Sequence, residues 1–260
     1  MIILLHTSKT MRSVSDSKSK AVQQPVLLSR ANELAKYLKK LTPAQIQKVM
    51  AVSAAMAEKT YDMLQTWNEN GATLPALDIF LGDIYSGLQV QNFTEADRAY
   101  ANEHLFILSG LYGVLRPIDE IQPYRLEMGY KLPGPEVTSL YTFWGDSIAK
   151  QLPAREVIMN LSAVEYTKAV LPYLKDAVVI APKFLTISPK TGEPTFVTVH
   201  AKIARGAFAS WLIRERIEET SRLKEFNDIG YTYSEELSTD SEPVFVAQEF
   251  QGIGLSVRLT

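Results

Sequence analysis

Several charged and hydroxyl side chains in this sequence fall just past short apolar runs, where a strand would end. Ser8, Lys9 and Thr10 follow the apolar residues 2–5. Asp83 and Tyr85 follow 76–80 and sit between Gly82 and Gly87. Arg116, Tyr124, Arg125 and Glu127 follow the apolar entry to segment 105–129. Asn160, Ser162, Glu165 and Lys168 follow 157–159, Asp146 follows Phe143-Trp144, and Lys202 and Arg205 share one face of a helical pattern. If the strands converge, these groups line one cleft that mixes cations with carboxylates. Arg116, Arg125, Lys168, Lys202 and Arg205 would supply phosphate contacts, arginine as a planar fork and lysine as a point charge. Asp83, Glu127 and Glu165 could act as acid or base, or hold a hard cation such as Mg²⁺. Taken singly, each is more often a surface ion pair or a cap, worth about 0–1 kcal/mol. Only their collective placement argues for a site.

The segment 105–129, LFILSGLYGVLRPIDEIQPYRLEMG, has an apolar entry, two glycines three apart and a polar exit. That pattern describes a backbone bent tightly enough for something to approach it. One reading is a buried turn between core elements. Another is a helix-hairpin-helix turn at 109–114, in which Gly110 and Gly113 let backbone amides reach a phosphate without sequence preference.

Composition narrows the chemistry. There are no cysteines, so disulfides, thiolate metal sites and cysteine nucleophiles are excluded. His6, His104 and His200 are far apart, and neither a histidine metal site nor any bound cofactor is expected. No phosphate-binding glycine loop, dinucleotide fingerprint, acyl-transfer elbow or zinc-hydrolase motif occurs, and Ser162 has no nearby histidine. The 27 Lys and Arg against 29 Asp and Glu leave a net charge of −2, which argues weakly against a DNA-coating protein yet permits a local basic cleft. The apolar start is too short for a signal peptide or a span, and no run approaches ~20 apolar residues, so the expectation is a cytoplasmic protein without a membrane partner.

The elements that must position these groups alternate. Residues 2–5 form a buried strand; 11–24 is a Ser/Lys-rich loop; 26–40 is an amphipathic helix; Thr42-Pro43 caps a helix whose apolar stripe continues to Trp67. Residues 76–80 read as a strand, Thr94 caps a helix to His104, Thr138 or Ser139 caps another to Gln151, and 157–159 is a strand. Residues 177–185 form a strand interrupted by Pro182, with 195–200 as its hairpin partner; 201–218 is a long helix; 230–233 and 244–246 pair at the end. The sum is one compact mixed α+β domain spanning 1–260, with a mixed sheet surrounded by helices.

The segments LGDIYSGL, LSGLYGVLRPIDEIQPYRLEMG, FWGD, NLSAVEY, AKIARG and FNDIGYTY, in that order, resemble those of the YaaA peroxide stress proteins, and the match spans nearly the whole chain. The resemblance implies a bacterial, cytoplasmic protein linked to peroxide survival, to limiting free iron and to DNA protection. It also implies a single domain with a basic cleft and a helix-hairpin-helix. Carried over, the hairpin falls on 109–114 and the cleft cations on Lys9, Arg116, Arg125, Lys168, Lys202 and Arg205. Two departures stand out: the loop after the first strand lacks the family's proline, and Ser162-Ala163 swaps a small pair.

Two functions therefore stand side by side. The chain binds DNA without sequence specificity through the hairpin and the clustered cations. Alternatively it is an enzyme acting on a phosphorylated or anionic small molecule, since DNA binding alone has no need of Asp83, Glu127 and Glu165.

Overall fold

The computed structural model describes residues 1–14, 23–68, 71–153 and 156–254. Most of the Ser/Lys-rich loop expected at 11–24 lies outside the described residues. Where it resumes, Gln23 bridges to Asp119.

The first strand, Ile2–His6, is buried along its whole length because it is central. It pairs in parallel with Leu105–Ser109 on one side and with Val157–Asn160 on the other. Val178–Ile180 extends the sheet in parallel beyond Val157–Asn160, and Gly113–Leu115 closes the opposite edge antiparallel to Leu105–Ser109. A strand buried on both faces is expected to be continuously apolar, as IILL is. A second, four-stranded sheet runs in the order Pro194–Thr195, Lys183–Ile187, Val244–Ala247, Tyr231–Ser234. The terminal pair Tyr231–Ser234 and Val244–Ala247 is antiparallel, as its alternating sequence suggests. Among the described residues the strands thus form two main sheets and two short ladders, Thr10–Met11 with Phe80–Leu81 and Leu74–Pro75 with Glu120–Ile121, where the sequence suggested one sheet.

Helix ends follow their caps. Thr42 and Thr94 each make a capping box, with Gln45 and Asp97, and Ser139 accepts from Tyr141 N. Four expectations change. The helix capped by Ser139 ends at Trp144, and Ala149–Gln151 is a separate 3-10 turn. The stripe from Thr42 to Trp67 is two helices, Pro43–Met50 and Ala54–Thr66, broken where Ala51 turns left-handed at φ 49° and Ser53 caps the second. The apolar run 76–80 is a single helical turn, Ala76–Ile79, leading into the two-residue strand Phe80–Leu81. Residues 195–200 split between the edge strand and the long helix Thr198–Arg214.

The helix-hairpin-helix expected around Gly110 and Gly113 is a β-hairpin. Leu105–Ser109 and Gly113–Leu115 pair with Ser109 opposite Gly113, and every residue from 105 to 115 is buried. Gly113 supplies the positive φ of 73° that the tight turn needs. A side chain on Gly110 would meet the Leu126 carbonyl, and one on Gly113 would meet Trp144. Trp144 Nε1 donates to the Gly110 carbonyl at 3.0 Å, so the turn is sealed by protein. Its glycines serve close packing, and its amides do not face solvent.

The helix Asp83–Leu88 crosses Thr198–Arg214 at closest backbone approach. A Cβ on Gly87 would strike the Ile203 carbonyl, and one on Gly206 would strike the Ile84 carbonyl. Both glycines are therefore required in helix interiors, where glycine ordinarily costs ~1 kcal/mol against alanine. Among the described residues no helix is long and apolar enough to cross a membrane.

Gly206→Ala is expected to destabilise the fold by about 3 kcal/mol, at the upper end of overpacking costs. Differential scanning fluorimetry should then show Tm falling by roughly 6–12 °C for a domain of this size. An unchanged or higher Tm, the usual result for glycine to alanine in a helix, would mean that the crossing is not tight.

Candidate functional site

Three parallel strands deliver their carboxyl ends to one edge of the first sheet: His6 and Thr7, Ser109, and Asn160 to Ser162. In chain order the parallel strands lie 2-1-3-4, so the connections leave the first strand in opposite directions on its two sides. Open sheets hold ligands outside the carboxyl ends at such a switch point. A cleft of about 340 Å³ lies there. Its lining comprises residues 6–10, 82–84, Glu127, Ala163, Glu165, Tyr166 and Lys202. A larger cavity of about 600 Å³ shares Gly82 with it but is walled mainly by Leu74, Leu77, Phe80, Leu81 and Val90. Its ionic pair, Arg98 with Asp78 at 2.8 Å, is already satisfied. The chemistry-bearing groups belong to the smaller cleft.

His6 anchors the floor. Its Nδ1 accepts from Ala163 N at 3.1 Å and lies 3.3 Å from Ser162 Oγ, tying the first strand to the loop after Val157–Asn160. Its ring stacks on Tyr166 at 4.9 Å, and its carbonyl accepts from Tyr85 Oη at 3.1 Å. Burial, with the nearby Arg205 and Lys202 charges, lowers its pKa to about 3. The imidazole is therefore neutral, as an Nδ1 acceptor must be.

Glu127 forms one wall. Its side chain is only 12% exposed, and Oε2 lies 3.8 Å from Lys9 Nζ. Burial pushes its carboxyl upward and Glu165 adds to the push, while Lys9 and a hydrogen bond from Tyr166 oppose it. Glu165 is fixed by Gly129 N, which donates to Oε1 at 2.8 Å. Behind the wall runs a chain of hydroxyls. Tyr166 meets Thr7 at 3.2 Å, Thr7 meets Tyr124, and Tyr124 meets Ser109 at 2.6 Å. Among the described residues, no group of three or more His, Asp or Glu could hold a metal ion.

Of the residues singled out in the sequence, Lys9, Thr10, Asp83, Glu127, Glu165 and Lys202 line the cleft together. Arg205 lies close enough to act on His6, and burial lowers its pKa. Tyr85, Tyr124 and Asn160 support from beneath: the tyrosines are buried, and Asn160 Oδ1 accepts from Ser162 N at 3.1 Å. Arg125 stands behind Glu127 with its Nε buried and unpartnered, and Lys168 is exposed outside the lining. Arg116 is elsewhere: its Nε donates to the Asn102 carbonyl at 2.6 Å and its guanidinium covers the Phe106 ring at 4.8 Å. Gly110 and Gly113 are the sealed hairpin. Sequence reasoning missed Thr7 and Tyr166, and it weighed His6 only as a metal ligand. For His6 the available signal was a histidine closing an all-apolar strand.

The neutral His6 sets an acid limit. Its folded pKa, near 3, is below the ordinary 6.5, so on acidification the unfolded chain takes up a proton that the folded one refuses. This contribution to stability is complete above the ordinary value and is lost as pH falls through the interval toward 3. His6→Gln removes that titration. Between about pH 7 and about pH 5 its melting temperature should fall less than that of the unsubstituted protein. Equal falls would show that His6 is not held neutral.

A family model described as peroxide stress protein YaaA matches residues 1–237. A curated UPF0246 protein from Salinispora tropica is 52% identical over 259 residues, which cover 99% of this chain and 98% of that protein. With a match across all the strands and helices that build the cleft, the chain belongs to the YaaA family of peroxide stress proteins.

Proposed function

We propose that this peroxide stress protein binds DNA through phosphates, without reading base sequence, and that the cleft is where a phosphate is gripped. The observation that carries the reading is the placement of Lys9 and Lys202 in one cleft, with Arg205 one helical step beyond Lys202. Cations drawn from separate elements contact phosphates and carry no sequence information. This reading no longer uses Gly110 and Gly113.

One observation favours a second reading, an enzyme acting on a phosphorylated or anionic small molecule. The cleft, at about 340 Å³, has small-ligand dimensions and sets Asp83, Glu127 and Glu165 among its lysines. A thermal-shift panel of nucleotides with and without Mg²⁺ tests it, since a ligand at 100 times its Kd stabilises by about 2.7 kcal/mol. A flat panel would remove this reading.

For the DNA reading, a gel-shift titration across salt concentrations is decisive. A grip of three cations predicts that log affinity falls against log salt with a slope of about −2.7 on duplex DNA. The double change Lys202→Ala with Arg205→Ala should weaken binding to unrelated sequences equally and reduce the slope by about 2. Absence of any shift at low salt with micromolar protein would sink the proposal.

A further inference from the structure

His6 is a fixed donor. Its Nδ1 accepts from Ala163 N at 3.1 Å, and a backbone amide can only donate, so the ring's one proton sits on Nε2. Tyr166, stacked on the ring at 4.9 Å, holds its plane. His6 lines the cleft, and among the described residues its Nε2 has no hydrogen-bond partner. Nor is Nε2 one of the buried side-chain nitrogens shut in without a partner. The imidazole therefore offers a neutral N–H to whatever occupies the cleft. With Nδ1 already engaged, it cannot serve there as a base.

Glu127, which lines the same cleft, is a fixed acceptor. Ser109, Tyr124, Thr7 and Tyr166 are all buried, so each hydroxyl hydrogen needs an acceptor. Ser109 Oγ accepts from Tyr112 N, and among the described residues the contact left for its own hydrogen is Tyr124 Oη at 2.6 Å. Tyr124 must then donate to Thr7, and Thr7 to Tyr166 Oη at 3.2 Å. Tyr166 in turn donates to Glu127. The chain of hydroxyls runs one way and ends on the carboxylate. A carboxylate offers about four lone-pair positions. Tyr166 and Lys9, the latter 3.8 Å away, claim two of them and leave acceptors for a ligand.

A donor and an acceptor thus stand on one tyrosine, His6 against the ring of Tyr166 and Glu127 at its hydroxyl. Their complement is a C=O beside an N–H. Among molecules with that edge, a nucleotide also suits the cations Lys202 and Arg205. We propose that the cleft binds a nucleobase through an oxo and N–H edge, as in hypoxanthine, guanine or thymine, with the oxo oxygen at His6 Nε2 and the N–H at Glu127. Adenine and cytosine carry the reverse pattern, which would set donor against donor and acceptor against acceptor. The inference rests on the cleft being the ligand site of the proposed function, and it adds the base to the phosphate. In a duplex this edge is occupied by pairing, so the base belongs to a free nucleotide or is unpaired in a strand.

The test is isothermal titration calorimetry with the 5′-monophosphates of inosine, 1-methylinosine and adenosine, which share one phosphate and differ only along this edge of the base. The inosine nucleotide should bind about a hundredfold tighter than the adenosine nucleotide, roughly tenfold for each of two reversed contacts. The 1-methyl nucleotide keeps the oxo group and lacks the N–H, so it should fall about tenfold short of inosine. Glu127→Gln should bring the inosine and adenosine nucleotides close to equal affinity, because Tyr166 claims the amide oxygen and leaves the amide nitrogen, a donor, for the ligand. His6→Leu should weaken the inosine nucleotide about tenfold and spare the adenosine one, whereas His6→Gln, which can accept from Ala163 N and still donate, should keep most of the affinity. If His6→Leu does not fold, the 1-methyl nucleotide and Glu127→Gln decide. Single-stranded oligodeoxynucleotides carrying one hypoxanthine or one adenine, followed by fluorescence anisotropy, identify the source of the base. A preference seen only in the strands assigns the edge to an unpaired base in DNA, and one seen only in the mononucleotides assigns it to a free nucleotide. Equal binding of hypoxanthine and adenine in both forms would overturn the inference and leave the phosphate grip standing. Discrimination unaltered in both Glu127→Gln and the His6 variant would overturn the pairing of these two residues with the base. Binding of none of these ligands would end the inference and the proposed function together.

Discussion

Gly87 and Gly206 let two helices touch backbone to backbone, and the cleft depends on that contact. Each glycine sits where a methyl group would overlap a carbonyl of the other helix. Residues four apart share a helix face. Asp83 is four residues before Gly87, and Lys202 is four residues before Gly206. The crossing therefore carries an acid and a base, one from each helix, to a common edge. Because Lys183–Ile187 packs against the long helix while Asp83–Leu88 follows Phe80–Leu81, which pairs with Thr10–Met11, the same contact ties the second sheet to the loop after the first strand. Separating the helices by the width of one methyl group would widen the cleft and move Lys202 away from the 6–10 loop. Two lost side chains thus place two functional ones.

The β-hairpin at 109–113 contributes through hydroxyls. Ser109 closes the turn by accepting from Tyr112 N at 2.9 Å, and it also meets Tyr124 Oη. From Tyr124 the contacts continue through Thr7 and Tyr166 to Glu127. A buried polar chain is stabilising only when every member is satisfied, and each of these has a partner. The rim residue Glu127 is consequently positioned by a turn that never meets solvent. The segment 105–129 was rightly singled out in the sequence for its glycines and its polar exit, but its two halves act differently. The first is core, and the second carries the wall of the cleft.

What the sequence made legible follows from how local each determinant is. The first strand, the N-caps at Thr42 and Thr94, and the terminal strand pair carry signals in their own sequence, and all were read. Pro182 was read as a flaw within one strand. It is a boundary, with Val178–Ile180 in the first sheet and Lys183–Ile187 in the second, because proline cannot donate to a ladder. The break at Ala51 carried no glycine to announce it: an exposed alanine takes the left-handed C-cap there. Among site residues, Lys9, Asp83, Glu127, Glu165 and Lys202 were recovered because polar groups past apolar runs collect at strand ends. Arg116 was misassigned for the same reason: it follows a strand, but the edge strand Gly113–Leu115 runs antiparallel and delivers it to the opposite end.

The neutral His6 explains how so small a cleft can keep two lysines and an arginine close together. A charged imidazole there would add a third positive group against Lys202 and Arg205, and it would forfeit the acceptor that holds Ala163 N. Burial beneath Tyr166 removes that charge. The positive charge nearest His6 then comes from Lys202 and Arg205, on consecutive turns of one helix. Around them the signs alternate: Asp83 reaches the same edge as Lys202, and Lys9 lies 3.8 Å from Glu127, beside Glu165. A ligand entering the cleft therefore meets cations and carboxylates together, and the carboxylate Glu165 is fixed there by its bond from Gly129 N.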